Sequence, residues 1–238
     1  GETGMLMRSR DFGETWEDAG LPGHVNSTIW WIATNPADPN LIFCHTILGQ
    51  IFRSTDGGES WEDLSFDIDN PDGFHYNAVT AVEGAGLLLA GEMGTLYRSP
   101  DYGDTWETLQ NSPYDGTWFG AAGTGEANQV LVWGLRGNMF RSTDFGDSWE
   151  QVELHTPNNG PLEATLLGGT LSAGDSLAVV GAGGVVLTSN NHGESFDVAV
   201  RPDRVALATA KYLPDGQMLL VGQHGVVKAS PKGLPNIQ

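Results

Sequence analysis

Arg98-Ser-Pro-Asp-Tyr-Gly-Asp-Thr-Trp106 and Arg141-Ser-Thr-Asp-Phe-Gly-Asp-Ser-Trp149 are two copies of one phrase. It stands earlier as Arg8-Ser-Arg-Asp-Phe-Gly-Glu-Thr-Trp16 and Arg53-Ser-Thr-Asp-Gly-Gly-Glu-Ser-Trp61, and later, decayed, as Thr188-Ser-Asn-Asn-His-Gly-Glu-Ser-Phe196. The serines Ser9, Ser54, Ser99, Ser142 and Ser189 are 45, 45, 43 and 47 residues apart. A sixth copy, Ala229-Ser-Pro-Lys-Gly233, begins 41 residues after the fifth and dissolves into the C-terminus. A fixed period of this length is the signature of a repeat architecture.

Each copy follows a short apolar segment, such as Gly94-Thr-Leu-Tyr-Arg-Ser99, and precedes another, such as Trp106-Glu-Thr-Leu109. The phrase is therefore a turn between two strands. Its aspartate can accept backbone N–H bonds, its serine hydroxyl can add another, and its glycine supplies a positive φ. Its tryptophan is expected to anchor the return strand in the core. Two more strand-like runs precede each copy, for example Tyr76–Val82 and Gly86–Gly91. Four strands in about 45 residues is a β-propeller blade. The expected fold is all-β: a propeller of four-stranded antiparallel blades, five to six blade equivalents in this chain.

The whole chain, 1–238, reads as a single propeller domain. Residues 1–19 give a partial first blade, full blades span about 20–65, 66–110, 111–153 and 154–200, and 201–238 give an incomplete last one. An open sheet edge invites aggregation, so propeller rings close by pairing strands from both termini. Here the strand counts do not merge neatly. The expectation is a six- or seven-bladed ring whose N-terminal part is not represented, with a five-bladed ring carrying a surplus strand as the other solution.

The repeated Ser-x-Asp-x-Gly-x-[Ser/Thr]-Trp resembles the Asp-box, or BNR, repeat found in sialidases and other glycosidases, sortilin-type receptors and photosystem II assembly factors. The Gly-x-x-Gly turns at Gly91 and Gly94, Gly134 and Gly137, Gly181 and Gly184, and Gly222 and Gly225 look most like the Ycf48 and HCF136 assembly-factor subgroup. The resemblance implies that the box residues are structural: Ser9, Asp11, Gly13 and Trp16; Ser54, Asp56, Gly58 and Trp61; Ser99, Asp101, Gly103 and Trp106; Ser142, Asp144, Gly146 and Trp149. It also implies a non-catalytic scaffold that binds a protein complex of the membrane-associated kind. The alternative is a carbohydrate-active BNR propeller, a glycoside hydrolase or a lectin taking a glycan.

Propeller ligands meet the face made by inter-blade loops and by turns between second and third strands. His24, Trp31, His75, Tyr76, Glu92, Tyr114, Trp118, Arg136, Arg204 and His224 are the candidates there, exposed aromatics being recognition residues. A sialidase needs three arginines on one carboxylate, because the guanidinium fork matches it bidentately. Arg8, Arg53, Arg98 and Arg141 belong to the repeats and Arg10 to a turn, leaving Arg136, Arg201 and Arg204. Glycoside cleavage needs a defined carboxylate pair, and Glu2, Glu92, Asp115 and Glu163 offer no selected one. No catalytic residue is named, and the reading leans against an enzyme. Asp67-Ile-Asp69-Asn-Pro-Asp72-Gly73 concentrates oxygen ligands, making Asp67, Asp69 and Asp72 candidate calcium ligands; no other cofactor is expected.

With 11 Lys+Arg against 30 Asp+Glu, the net charge of −19 opposes nucleic acid. No apolar run approaches the length of a membrane span, so no direct insertion is expected. The single cysteine, Cys44, excludes an intrachain disulfide and a multi-cysteine zinc site, and reads as a small buried hydrophobe. No signal peptide is visible. Export to a periplasm or lumen is expected from the resemblance.

Overall fold

The structure, a computed structural model, describes residues 4–35, 38–171 and 176–235. A hairpin of β1 (Met7–Arg8) and β2 (Glu17–Asp18) leads into four full blades. The first comprises β3 (Ile29–Asn35), β4 (Asp38–Thr46), β5 (Ile51–Ser54) and β6 (Glu62–Asp63). The second comprises β7 (Tyr76–Val82), β8 (Gly86–Gly91), β9 (Leu96–Ser99) and β10 (Glu107–Thr108), and the third β11 (Trp118–Gly123), β12 (Val130–Gly134), β13 (Met139–Ser142) and β14 (Glu150–Gln151). An extra strand, β15 (Glu153–His155), crosses to the edge of the fourth blade, which is built from β16 (Leu166–Leu171), β17 (Leu177–Gly181), β18 (Val185–Ser189) and β19 (Ser195–Val200). A three-stranded sheet of β20 (Leu207–Tyr212), β21 (Met218–Gly222) and β22 (Gly225–Ala229) follows. Pairing is antiparallel throughout, except that β15 lies parallel to β19. Among the described residues helix is confined to two three-residue 3-10 turns at Leu135–Gly137 and Ala182–Gly184.

Valine, leucine and alanine fill the second strands, and β8, β12 and β17 are buried at every position. Such continuous apolar strands belong between two packed layers. Here the layers are neighbouring blades: Leu131 and Trp133 of the third share a core with Leu177, Val179 and Phe196 of the fourth. First strands meet in succession, β3 with β7, β7 with β11, β11 with β16 and β16 with β20. They surround a cavity of about 380 Å³ touched by Thr34, Thr80, Ala121, Thr170 and Lys211.

The Gly-x-x-Gly turns have a steric cause. A Cβ on Gly134 would lie 2.1 Å from the Thr117 carbonyl oxygen of its own blade's entry. On Gly137, at φ +70°, it would lie 2.1 Å from the Leu162 oxygen of the next inter-blade loop. Backbone contact this close excludes any side chain. The Gly137 N–H bonds the Ala164 carbonyl and the Gly94 N–H bonds the Gly116 carbonyl, each at 2.8 Å, so each turn is fastened to the loop that follows. The first blade departs from this pattern: Thr46 stands at the first glycine position, and the Gly49 N–H bonds the Thr46 carbonyl of its own turn at 3.3 Å.

Candidate binding face

Alternating strand direction puts the second-to-third-strand turns and the inter-blade loops on one face, and the box turns on the other. On the box face the geometry repeats four times. Each serine hydroxyl lies 2.8 Å from the aspartate Oδ1: Ser9 to Asp11, Ser54 to Asp56, Ser99 to Asp101 and Ser142 to Asp144. The serine Oγ in turn accepts the N–H of Gly13, Gly58, Gly103 or Gly146 at 2.6–2.8 Å. The carboxylate accepts a backbone N–H and a hydroxyl from Thr15, Ser60, Thr105 or Ser148. The Thr15 and Ser60 hydroxyls hold Asp11 and Asp56 down at about 2, because these bonds favour the ionised form. The residue after the aspartate is left-handed, at φ 58° in Phe12, 57° in Tyr102 and 57° in Phe145.

The box tryptophans differ from expectation. Trp61, Trp106 and Trp149 are half-buried and Trp16 is 61% exposed. The rings lie over the glycine of their own box, 3.4–3.7 Å from where a Cβ would stand in Gly13, Gly58 and Gly146. Trp61, Trp106 and Trp149 gain their remaining cover from the preceding blade or hairpin. Among the described residues no sheet precedes β1, so Trp16 lacks that cover. The buried aromatics of these blades stand instead on first strands (Tyr76, Trp118), second strands (Phe43, Trp133) and third strands (Phe52, Tyr97).

The box arginines form blade-to-blade ties that escaped the reading of single motifs. Arg8 donates to the Gly58 carbonyl at 2.5 Å and to Glu17 at 2.8 Å. Arg53 reaches the Tyr102 carbonyl at 3.1 Å, Asp104 at 2.7 Å and Glu62 at 2.8 Å. Arg98 reaches the Phe145 carbonyl at 3.2 Å, Asp147 at 2.6 Å and Glu107 at 2.9 Å. Each arginine thus joins an acid across its own hairpin to the next blade's box. The signal was present in the sequence, as an acid directly after each tryptophan: Glu17, Glu62, Glu107 and Glu150.

On the opposite face the candidates separate into two groups. His24, Arg136, Arg204 and His224 are exposed, Arg136 and Arg204 on left-handed backbone at φ 55° and 50°. His75 and Glu92 engage each other, Nδ1 to Oε1 at 3.3 Å, while Glu92 Oε2 accepts the His75 N–H at 3.1 Å. Tyr114 is half-buried and Trp31 is 38% exposed on β3. Trp118 and Tyr76 are core residues, 0% and 1% exposed, and cannot touch a partner. Each opens a first strand, where the adjoining loop and blade enclose it. Trp118 stacks edge-on against Tyr114 and Phe140, and Tyr76 against Tyr97. Arg201 is also withdrawn, 4% exposed and donating to the Gly233 carbonyl at 2.8 Å and to Asp203 at 2.8 Å. Arg136 and Arg204 remain, too few for an arginine triad. Asp115 and Glu163 are exposed on separate loops, and Glu2 lies outside the described residues.

Two buried groups are chemically silent. Burial pushes the Cys44 thiol up to about 12 and the His45 ring down to about 4, so both are neutral near pH 7. Among the described residues no three His, Cys, Asp or Glu side chains form a metal-holding group. Asp67, Asp69 and Asp72 therefore do not assemble as expected of calcium ligands. Their loop is shaped by Asn70, whose Oδ1 accepts the Phe74 N–H at 3.0 Å and whose Nδ2 donates to the Phe74 carbonyl at 2.9 Å. Such Asx geometry is a local reason for an Asp/Asn-rich composition.

Residues 24–156 match the family model of the photosynthesis system II assembly factor YCF48. The chain belongs to this family. Among solved structures, YCF48 bound to D1 peptide superposes with a TM-score of 0.67 at 17% identity, covering 89% of this chain and 65% of that one. YCF48 from Cyanidioschyzon merolae gives 0.66 at 16% identity, covering 94% and 71%. A GH74 xyloglucanase from Xanthomonas campestris gives 0.70 at 16% identity, but the chain covers 42% of it. At these identities the structural likeness establishes the propeller fold alone. No curated protein sequence matches. The chain spans about two thirds of the length of the YCF48 structures it resembles.

Proposed function

We propose that this propeller is a non-catalytic protein-binding scaffold of the assembly-factor kind, contacting its partner through the face that carries His24, His75, Glu92, Tyr114, Arg136, Arg204 and His224. The observation that carries the reading is the family match over residues 24–156. A relative bound to a D1 peptide makes a D1-like segment the natural first ligand to try. The chemistry of the face supports this use. Arg136 and Arg204 are exposed cations on an acidic molecule, held on fixed left-handed turns, so they would dominate recognition of a carboxylate-bearing peptide. Glu92 is engaged by His75 and so is not a free partner for the carboxylate pair that glycoside cleavage needs.

The test is calorimetric titration of the full chain with a synthetic D1 peptide, alongside the Arg136→Ala/Arg204→Ala double variant. Binding that falls at least about ten-fold in the double variant, the scale of a lost charge-assisted bond, supports the reading. Turnover of a glycoside, or glycan binding with no peptide binding, overturns it.

A further inference from the structure

The arginine ties stop before the end of the chain, and the place where they stop is open. In the fourth box Arg141 turns back to Gln129 Oε1 at 2.6 Å. In the fifth, Thr188 occupies the arginine position. Its cross-strand acid is kept: Asp197 pairs with Thr188 in register as Glu62 pairs with Arg53 and Glu107 with Arg98. Asp197 therefore stands where the first three hairpins place the counter-ion of a guanidinium, with Thr188 in place of the arginine. It lies against His155, Nδ1 to Oδ1 at 3.3 Å.

Beside Thr188 and Asp197 runs a groove of about 610 Å³ between the fourth blade and the last sheet, lined also by Asn190, Tyr212, Pro231 and Lys232. Between the first and second blades the corresponding groove is lined by Arg53 together with Tyr102 and Asp104. The last sheet has no box acid to offer, since Pro235 stands at that position, and the Gly233 carbonyl is already taken by Arg201. A guanidinium entering the groove would meet Asp197 on one side and the Tyr212 ring on the other, a carboxylate plus a cation–π surface. Lys232 at the same groove opposes it, while the overall charge of −19 favours a basic visitor.

We propose that this groove, on the box face and away from the D1-type face above, receives an arginine side chain from a basic segment of a partner protein, taking the place that the chain's own arginines fill in the earlier blades. The probe is acetyl-Gly-Arg-Gly-Arg-Gly-amide and its lysine twin, titrated into the isotope-labelled full chain and followed by amide NMR shifts. Shifts at Thr188, Asp197 and Tyr212 are expected with the arginine peptide, and weaker binding with the lysine peptide, which lacks the planar fork. Asp197→Asn should weaken binding about five-fold, the scale of an exposed ion pair, and Lys232→Glu should tighten it. Thr188→Arg should refill the groove from within and abolish the shifts while the far-ultraviolet spectrum stays that of a β-protein. Arg136→Ala/Arg204→Ala should leave this binding unchanged, which separates it from the function proposed above. No shifts, equal response to both peptides, unchanged affinity in Asp197→Asn, or a glycan displacing the peptide from these residues would each overturn the proposal.

Discussion

The first three blade interfaces and the last two use one scaffold differently. From the leading hairpin to the third blade, each box arginine reaches the next box's backbone carbonyl and carboxylate. From the third blade onward that tie is gone, and cohesion passes to packing, with Phe196 at 0% exposure in the position the earlier boxes give to a half-exposed tryptophan. Polar fastening and apolar burial thus substitute for each other at equivalent places in the repeat. The fifth box keeps its turn with Asn191 in place of aspartate, Oδ1 accepting the Ser195 N–H at 3.3 Å and Nδ2 donating to the Ser195 hydroxyl at 3.0 Å.

The contrast breaks most visibly at the aromatic position. Phe196→Ala should cost about 3–5 kcal/mol, as deletion of a core aromatic does, whereas Trp16→Ala, on an exposed ring, should cost under about 1 kcal/mol; denaturant unfolding measures both. Equal losses would mean that the two ends are held alike. Next in size are the turn glycines. Gly137→Ala meets the Leu162 oxygen at 2.1 Å on left-handed backbone, and should cost more than the about 1–3 kcal/mol of backbone strain alone. Gly225→Ala, at φ +83° with nothing within 4 Å, should cost only the strain of about 1–2 kcal/mol.

Removing a tie should have a smaller effect. Arg53→Met leaves Asp104 and the Tyr102 carbonyl without their donor and should lower stability by about 1–3 kcal/mol. Arg141→Met, which loses a bond within its own blade, should lower it less. The smallest effect sharpens the comparison by pH. Asp11 and Asp56 sit at about 2 in the folded chain against 3.8 for the free side chain, so their contribution is whole above pH 4 and disappears as pH falls through 2. The thermal midpoint should drop over that window, and Asp56→Asn, which copies the fifth box, should flatten the drop.

The propeller could be read from sequence because its evidence is local: a turn of fixed chemistry recurring at a fixed spacing. The face of the inter-blade loops followed from the same period. What could not be read was which aromatics of that face are available. Trp31 and Trp118 both lie on first strands, yet one is 38% exposed and the other 0%. The difference is made by Tyr114 and Phe140, the second of them 22 positions away on a different strand. The loop of Asp67, Asp69 and Asp72 shows the converse limit. Composition shows oxygen atoms but not their direction, and Asn70 turns that segment inward on its own backbone. The arginine ties needed the repeats to be compared with one another, because each spans two of them.

One strand remains to be weighed. β15 leaves the outer hairpin of the third blade and runs beside β19 of the fourth, Glu153 to Ser195 and His155 to Asp197. A continuous segment, residues 150–155, therefore belongs to two sheets at once. The third and fourth blades cannot open separately without breaking one of those pairings, which makes them a single cooperative unit, and the boundary at which local unfolding begins falls to either side of that pair.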